Sequence, residues 1–211
     1  MAHARQRAAA RAIVGLVAAL MLPGTPVHAA PSEAAAAADT VRDFYERVER
    51  MTRLDSCAER AAFLESAVDS TYDIPNYLRE SLRGHWQELA GEDVDALQRG
   101  LRHLIATTYA ANFASPEDLS VRIGDAAYED RYRRSVGVLI QQSGKEVAQR
   151  RYLLHRTDDG GDWKVINLFF PRGGNELVHR ARYNEENLRW GGFDALREYL
   201  RAEASRFGAD C

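Results

Sequence analysis

The side chains best suited to chemistry in this sequence are its histidines, and their spacing forms no reactive motif. Beyond residue 30 the chain has His85, His103, His155 and His179. None stands at His-x-x-x-His spacing or beside a cysteine, so a transition-metal site is not expected. The sequence also contains no Gly-x-Ser-x-Gly elbow, P-loop or dinucleotide fingerprint. We therefore expect no catalytic residue, no metal ion and no cofactor.

Arginines form the most concentrated group of charged side chains. Arg131, Arg133 and Arg134 stand at the start of one predicted strand, and Arg150 and Arg151 lie on the next. We predict that these arginines belong to a solvated face of a sheet. The alternative is a docking surface for an acidic partner or for lipid headgroups.

The composition is that of a globular protein with little net charge. The 211 residues are 45% hydrophobic and 28% charged, and the formal net charge is −3. These values are typical of one folded domain. A slightly negative chain is poorly suited to bind nucleic acid, so we expect no nucleic-acid partner.

The first 29 residues have the pattern of a secretory signal peptide. A start containing arginines precedes an apolar run at residues 12–22, which is too short to span a bilayer, and Ala29 ends a cleavage site. An N-terminal anchor helix is the alternative. The alanine-rich residues 30–38 are expected to form a mobile leader.

The spacing of apolar residues predicts helices at both ends of the chain and strands between them. Thr40 and Ser56 are the expected caps of the first two helices. Helical spacing occurs at residues 41–51, 57–68, 74–82, 94–109, 175–189 and 193–206, with Gly191-Gly192 between the last two. Strands are predicted at residues 119–123, 136–140, 147–155 and 163–170.

This order predicts one α+β domain at residues 39–207, followed by a C-terminal tail at residues 208–211. Its core is a four-stranded antiparallel curved sheet with helices before and after it. Helices over a curved sheet can leave a concavity lined by their inward side chains. The large inward candidates are Tyr72, Trp86, Tyr109 and Phe113. The sequence leaves open whether they fill a core or wall a pocket.

Cys57 and Cys211 are the two cysteines of the chain. An exported protein meets an oxidising compartment, so we predict that these residues form a disulfide bond. Two unpaired thiols are the alternative.

Several sequence blocks, taken together, resemble one known family. They lie at residues 72–75, 82–86, 108–113, 152–154, 161–167, 176–184 and 191–196. Their order over residues 40–203 is similar to that of the MlaC, or toluene-tolerance, family of periplasmic lipid-carrying components of ABC transport systems. The branch associated with hopanoid biosynthesis is the most similar. The chain departs from many members at residues 171–175, where Pro-Arg-Gly-Gly-Asn replaces a Gly-Val-Ser-like segment.

The resemblance implies a periplasmic carrier with an apolar cavity in a cone-like fold of the NTF2 type. The expected ligand is a phospholipid or hopanoid, and the expected partners are an inner-membrane transporter component and an outer-membrane complex. A lipid tail in water costs about 0.8 kcal/mol per CH₂, so a soluble carrier needs an enclosed apolar space and no catalytic group. The residues predicted to line that space are Ile74, Leu78, Trp86, Leu101, Ile105, Tyr109, Val136, Val138, Leu154, Ile166 and Leu168.

Two other functions are compatible with the sequence. A non-carrier interaction module of the cell envelope would have a filled core and no cavity. An enzyme of the ketosteroid-isomerase type would need an Asp or His with a shifted pKa deep in a cavity. Asp125, Asp130 and His155 are the candidates for that role.

Overall fold

The described chain runs through four helices, five strands and a final kinked helix. The computed structural model describes residues 32–113, 119–156 and 160–209. The helices are α1 (Glu33–Met51), α2 (Cys57–Thr71), α3 (Ile74–Leu82), α4 (Gly91–Asn112) and α5 (Glu176–Ala209), with short 3-10 helices at Arg83–Glu88 and Pro171–Gly173. The strands are β1 (Leu119–Tyr128), β2 (Arg133–Gln142), β3 (Lys145–His155), β4 (Lys164–Phe170) and β5 (Gly174–Asn175). This arrangement confirms the predicted α+β class.

The strands form one curved antiparallel sheet in the order β1-β2-β3-β4-β5. The prediction of four strands is wrong, because β5 adds two residues beside the end of β4. Arg172 and Gly173 adopt positive φ angles of 64° and 82°. They turn the chain back so that Gly174 pairs with Phe170.

A bulge in β4 changes which of its side chains face the helices. Leu153 of β3 pairs with Asn167, whereas Leu154 pairs with Val165, so Ile166 is an extra residue in the strand. Such an extra residue interrupts the simple alternation of side chains. Val165 and Leu168 therefore both face the core, and Ile166 lies on the outer face of the sheet. The prediction that Ile166 and Leu168 share the inner face is wrong for this reason.

Helix α1 begins earlier than predicted. Ser32 caps it by accepting a hydrogen bond from the Ala35 N–H at 3.2 Å. Ala37 and Ala38 are buried within the helix, so the mobile leader predicted at residues 30–38 is wrong from residue 33 onward. Alanine has the highest helix propensity, and its small side chain fits a close helix contact. Helix α5 likewise extends two residues into the predicted tail, to Ala209.

The predicted capping box of α2 is confirmed. The Glu59 N–H donates to Ser56 Oγ at 3.2 Å, and the Ser56 N–H donates to Glu59 Oε2 at 3.1 Å. These two bonds satisfy backbone donors that the first turn of a helix leaves free.

Helix α5 is bent where the sequence predicted a break between two helices. Gly191 and Gly192 have non-helical backbone angles. Before the bend, Asn184 Nδ2 donates to Ser81 Oγ of α3 at 3.0 Å. After it, Leu200 packs against Gly100 of α4. The bend therefore lets one continuous chain cover two helices.

Replacing Gly192 with alanine is expected to destabilise the protein by about 1–3 kcal/mol. Gly192 has φ 64° and ψ −152°, a conformation that is essentially restricted to glycine. Urea unfolding followed by circular dichroism measures the loss. Gly137→Ala is the matched control, because a Cβ at this exposed position on β2 meets no atom within 4 Å. Equal stability of the two variants would contradict the prediction.

Two predictions concern residues outside the described part of the chain. The signal peptide at residues 1–29 lies wholly there, and so does Cys211. Cys57 is the first residue of α2. The Cys57–Cys211 disulfide bond therefore stays a prediction.

Candidate functional site

A connected set of tyrosines lies between the helices and the sheet. Tyr72 and Tyr109 are joined through their hydroxyls at 3.0 Å, Tyr109 and Tyr152 at 2.6 Å, and Tyr152 and Tyr45 at 2.7 Å. All four side chains are buried. Each hydroxyl thus has a partner inside the core, which a buried polar group needs.

Burial also disfavours ionisation of three of these hydroxyls. It raises the pKa of Tyr45, Tyr72 and Tyr152 above the usual tyrosine value, because the interior disfavours the phenolate. Phe44 packs against the set, with its ring centroid 4.8 Å from that of Tyr109 in an edge-to-face arrangement. The aromatic residues are therefore mainly a packed core, with one side open to a pocket.

That opening, which we call the inner pocket, has a volume of about 80 Å³. Helices α3 and α4 form one wall, the inner face of β3 and β4 forms another, and the start of α5 closes it. Its lining residues are Tyr72, Tyr77, Ile105, Thr108, Tyr109, Arg150, Leu168, Phe170, Glu176 and Arg180. An apolar interior is thus combined with charged groups from the sheet and from α5.

Two arginines line this pocket. Arg180 pairs with Glu176 one helical turn away, at 2.5 Å. The guanidinium of Arg150 lies over the ring of Tyr109, with 5.1 Å between its central carbon and the ring centroid. It also lies 5.6 Å from the Phe113 centroid. Because both arginines are shielded from water in part, their charges act more strongly than those of surface arginines.

The structure brings three of the predicted cavity residues to the inner pocket: Ile105, Tyr109 and Leu168. Six others are buried in the core nearby without lining it, namely Ile74, Leu78, Leu101, Val136, Val138 and Leu154. Trp86 is half-buried in the 3-10 helix that follows α3. Ile166 lies on the opposite face of the sheet.

The basic stretch predicted from the arginines is divided between the two faces of the sheet. Arg134 is 8% exposed and pairs with Glu33 of α1 at 2.8 Å. Arg150 lines the inner pocket, whereas Arg151 pairs with Glu129 at 3.3 Å and lies over Phe169. Arg131 and Arg133 are exposed. The prediction of one solvated face is therefore wrong for Arg134 and Arg150.

Larger concavities occur elsewhere on the described surface. One of about 540 Å³, the outer groove, lies on the outer face of the sheet, and another of about 410 Å³ lies beside α1. The concavity beside α1 is lined mostly by charged and polar side chains. The outer groove is lined by Asn76, Glu80, Asp130, Tyr132, Arg133, Leu153, His155, Ile166, Asn167 and Leu177. The inner pocket has the smallest volume of these three concavities, but it reaches the apolar core.

The three residues considered for an enzyme lie outside the inner pocket. Asp125 is exposed on β1. Asp130 accepts a hydrogen bond from Arg133 at 2.6 Å and lines the outer groove. His155 lines the same groove, with its Nε2 2.7 Å from Asp73 Oδ2.

The Asp73–His155 pair fixes the start of α3 to the sheet. Asp73 Oδ1 accepts from the Asn76 N–H at 3.0 Å and caps the helix, while the Asp73 N–H donates to the Val165 carbonyl at 3.0 Å. Burial alone would raise the pKa of Asp73, but the hydrogen bonds from His155 and Asn76 outweigh burial and lower it. The ionised carboxylate is therefore the form that stabilises the fold.

Replacing Asp73 with alanine is expected to cost about 0.5–2 kcal/mol at neutral pH. Because the pKa of Asp73 is lowered on folding, its contribution is present above its usual value of about 3.9 and is lost as the pH falls through the folded value. The stability difference from wild type should therefore shrink as the pH falls below that usual value, as measured by urea unfolding across the pH range. Asp125→Ala is the exposed control, and a difference that stays constant with pH would contradict the prediction.

Within residues 32–113, 119–156 and 160–209, no three His, Cys, Asp or Glu side chains are grouped so that they could hold a metal ion. In the same part of the chain, no helix has the length and apolar character needed to cross a membrane.

Helices packed over one face of a curved antiparallel sheet, with a pocket between the two layers, define an α+β domain. The family model described as "MlaC protein" matches residues 39–202, and the chain belongs to the MlaC family. Its fold is similar to that of a phospholipid-binding protein from Ralstonia solanacearum, solved in complex with a phospholipid. The two chains are 17% identical, with a TM-score of 0.68 over 81% of this chain and 98% of the other. No curated protein matches the chain.

Proposed function

We propose that this protein is a periplasmic lipid carrier that holds acyl chains in the inner pocket and moves them between membrane-bound transport partners. The observation that carries the proposal is an apolar pocket between α4 and the inner face of the sheet, in a chain of the MlaC family. The bound phospholipid of the Ralstonia protein supports the choice of ligand. A hopanoid is the alternative ligand.

The size of the pocket implies that it must widen to admit lipid. Ligand pockets usually measure roughly 300–1,000 Å³, several times the volume of the inner pocket. The start of α5 contributes Glu176 and Arg180 to the mouth and is bounded by the turn at Gly173 and the bend at Gly191. We propose that this segment of α5 moves away from α4 when a ligand enters.

Export and partners belong to the same proposal. The signal-peptide pattern of residues 1–29 supports secretion to the periplasm. An inner-membrane transporter component and an outer-membrane complex are the partners that the family implies. A carrier of this kind needs no group that makes or breaks bonds.

Mass spectrometry of an organic extract of the purified protein tests the proposal. We expect a phospholipid in the extract from protein isolated without detergent. Delipidated protein should also take up labelled phospholipid from vesicles. An empty extract combined with no uptake would contradict the carrier function and favour a non-carrier module of the envelope.

A further inference from the structure

Arg150 occupies a position on the sheet that otherwise belongs to the core. It lies on β3 two residues before Tyr152 and four before Leu154, both of which are fully buried on the inner face. In the ladder to β4, Arg151 pairs with Phe169, so Arg150, which comes one residue earlier in β3, lies beside the end of β4. The strand therefore carries a cation to the edge of the apolar pocket.

The surroundings of Arg150 differ from those of the other shielded arginines. Arg134 has Glu33 as its partner at 2.8 Å, and Arg180 has Glu176 at 2.5 Å. Among the described residues, no carboxylate lies within ion-pair distance of Arg150. The rings of Tyr109 and Phe113 lie beside it, and the hydroxyls of Tyr45 and Tyr152 accept hydrogen bonds from it, but none of these groups carries a negative charge. A shielded charge without a counter-ion is unfavourable, and an anionic ligand would supply one.

We infer that Arg150 is the anion-binding residue of the inner pocket and that the ligand is an amphiphile bearing a phosphate. A guanidinium matches a phosphate through two parallel hydrogen bonds. The hydrocarbon chain would lie against Ile105, Leu168 and Phe170 of the same pocket. Arg180 is less suited to the task because Glu176 already balances its charge. This inference rests on the proposed carrier function and adds the residue that selects the ligand.

Three ligands distinguish a lipid headgroup from free phosphate as the source of the bound anion. Lysophosphatidic acid carries one chain and a phosphate, monoacylglycerol with the same chain lacks the phosphate, and inorganic phosphate lacks the chain. Binding of each ligand to the full mature protein is measured by titration calorimetry. The two lipids are used below their critical micelle concentrations. The variants are Arg150→Gln, which removes the charge, and Arg151→Gln, which removes the neighbouring charge on the opposite face. Arg150→Lys, which keeps the charge without the planar fork, is a second variant at the same site.

The wild-type protein should bind lysophosphatidic acid at least about tenfold more tightly than monoacylglycerol. Arg150→Gln should remove this preference, Arg150→Lys should keep part of it, and Arg151→Gln should keep all of it. Arg150→Gln is expected to fold, because it removes a shielded charge that has no carboxylate partner.

Equal affinity of the wild-type protein for both lipids would overturn the inference and leave the carrier function in place. A preference that survives in Arg150→Gln would do the same. Displacement of lysophosphatidic acid by millimolar inorganic phosphate would also overturn the inference, because it would show that the site binds free phosphate rather than a lipid headgroup. Failure of both lipids to bind the wild-type protein would overturn the inference and the carrier function together.

Discussion

Ile105→Trp is expected to reduce lipid uptake strongly while leaving the protein folded. Ile105 projects from α4 into the inner pocket and is 8% exposed. The pocket holds about 80 Å³, so an indole ring at this position would occupy most of the space that an acyl chain must enter. Extra volume in a packed core costs about 1–3 kcal/mol, and the empty space beside Ile105 places the substitution at the lower end of that range.

Uptake of labelled phospholipid from vesicles measures the effect, and thermal unfolding verifies the fold. We expect at least about a tenfold loss of bound lipid. Ile105→Val is the matched control, since it removes a methylene and leaves the pocket open at a cost of about 0.5–1.5 kcal/mol. If the tryptophan variant is folded and takes up as much lipid as the valine variant, the ligand lies elsewhere, and the outer groove becomes the next site to examine.

Local signals in the sequence were sufficient for most of the secondary structure. The capping box at Ser56 and the proline at the start of α3 specify helix starts through hydrogen bonds within a few residues. The bend at Gly191 and Gly192 is similarly local, because Gly192 has a φ angle of 64° and glycine adopts positive φ angles more readily than other residues do. Such features depend little on the rest of the fold, and this is why they could be predicted.

The faces of the strands depended on information that the sequence does not carry. The bulge at Ile166 arises from how β4 pairs with β3, and a single extra residue reverses the faces on either side of it. The two-residue strand β5 also exists only because Arg172 and Gly173 turn the chain back onto β4. Pairing between distant segments decided both features.

The sequence already contained a signal that Arg150 faces inward. It stands at even spacing from Tyr152 and Leu154, and this spacing places all three on one face of a strand. Its neighbour Arg151 suggested a solvated basic surface instead. In this strand, spacing from apolar neighbours predicted the face of a residue better than its charge did.

The aromatic residues resolve a question that the sequence left open. Tyr72 and Tyr109 are both core and pocket wall, since each shares a hydroxyl hydrogen bond with the other and lines the inner pocket. Tyr45 and Tyr152 extend the same chain of hydroxyls away from the pocket. The site is thus one side of the hydrophobic core rather than a separate cavity, and its shape depends on how that core is packed.

Phe44→Ala is accordingly expected to cost about 3–5 kcal/mol, a large part of the roughly 5–15 kcal/mol that stabilises a typical domain. Phe44 is 1% exposed on α1. Its ring makes edge-to-face contacts with Tyr72 and Tyr109, at centroid distances of 5.7 and 4.8 Å. Removing the ring would leave a cavity beside the hydroxyl chain, because tyrosines held by hydrogen bonds cannot collapse into it.

Urea unfolding of Phe44→Ala and Phe63→Ala provides the comparison. Phe63 lies on α2 and is 39% exposed, so the same chemical change there should cost about 1 kcal/mol or less. The loss at Phe44 should therefore exceed the loss at Phe63 by at least about 2 kcal/mol. Similar losses at the two positions would mean that the core around Tyr109 relaxes to fill the cavity. A core that relaxes in this way could also widen the inner pocket without any movement of α5, so this result would relocate the proposed opening from the start of α5 to the aromatic core.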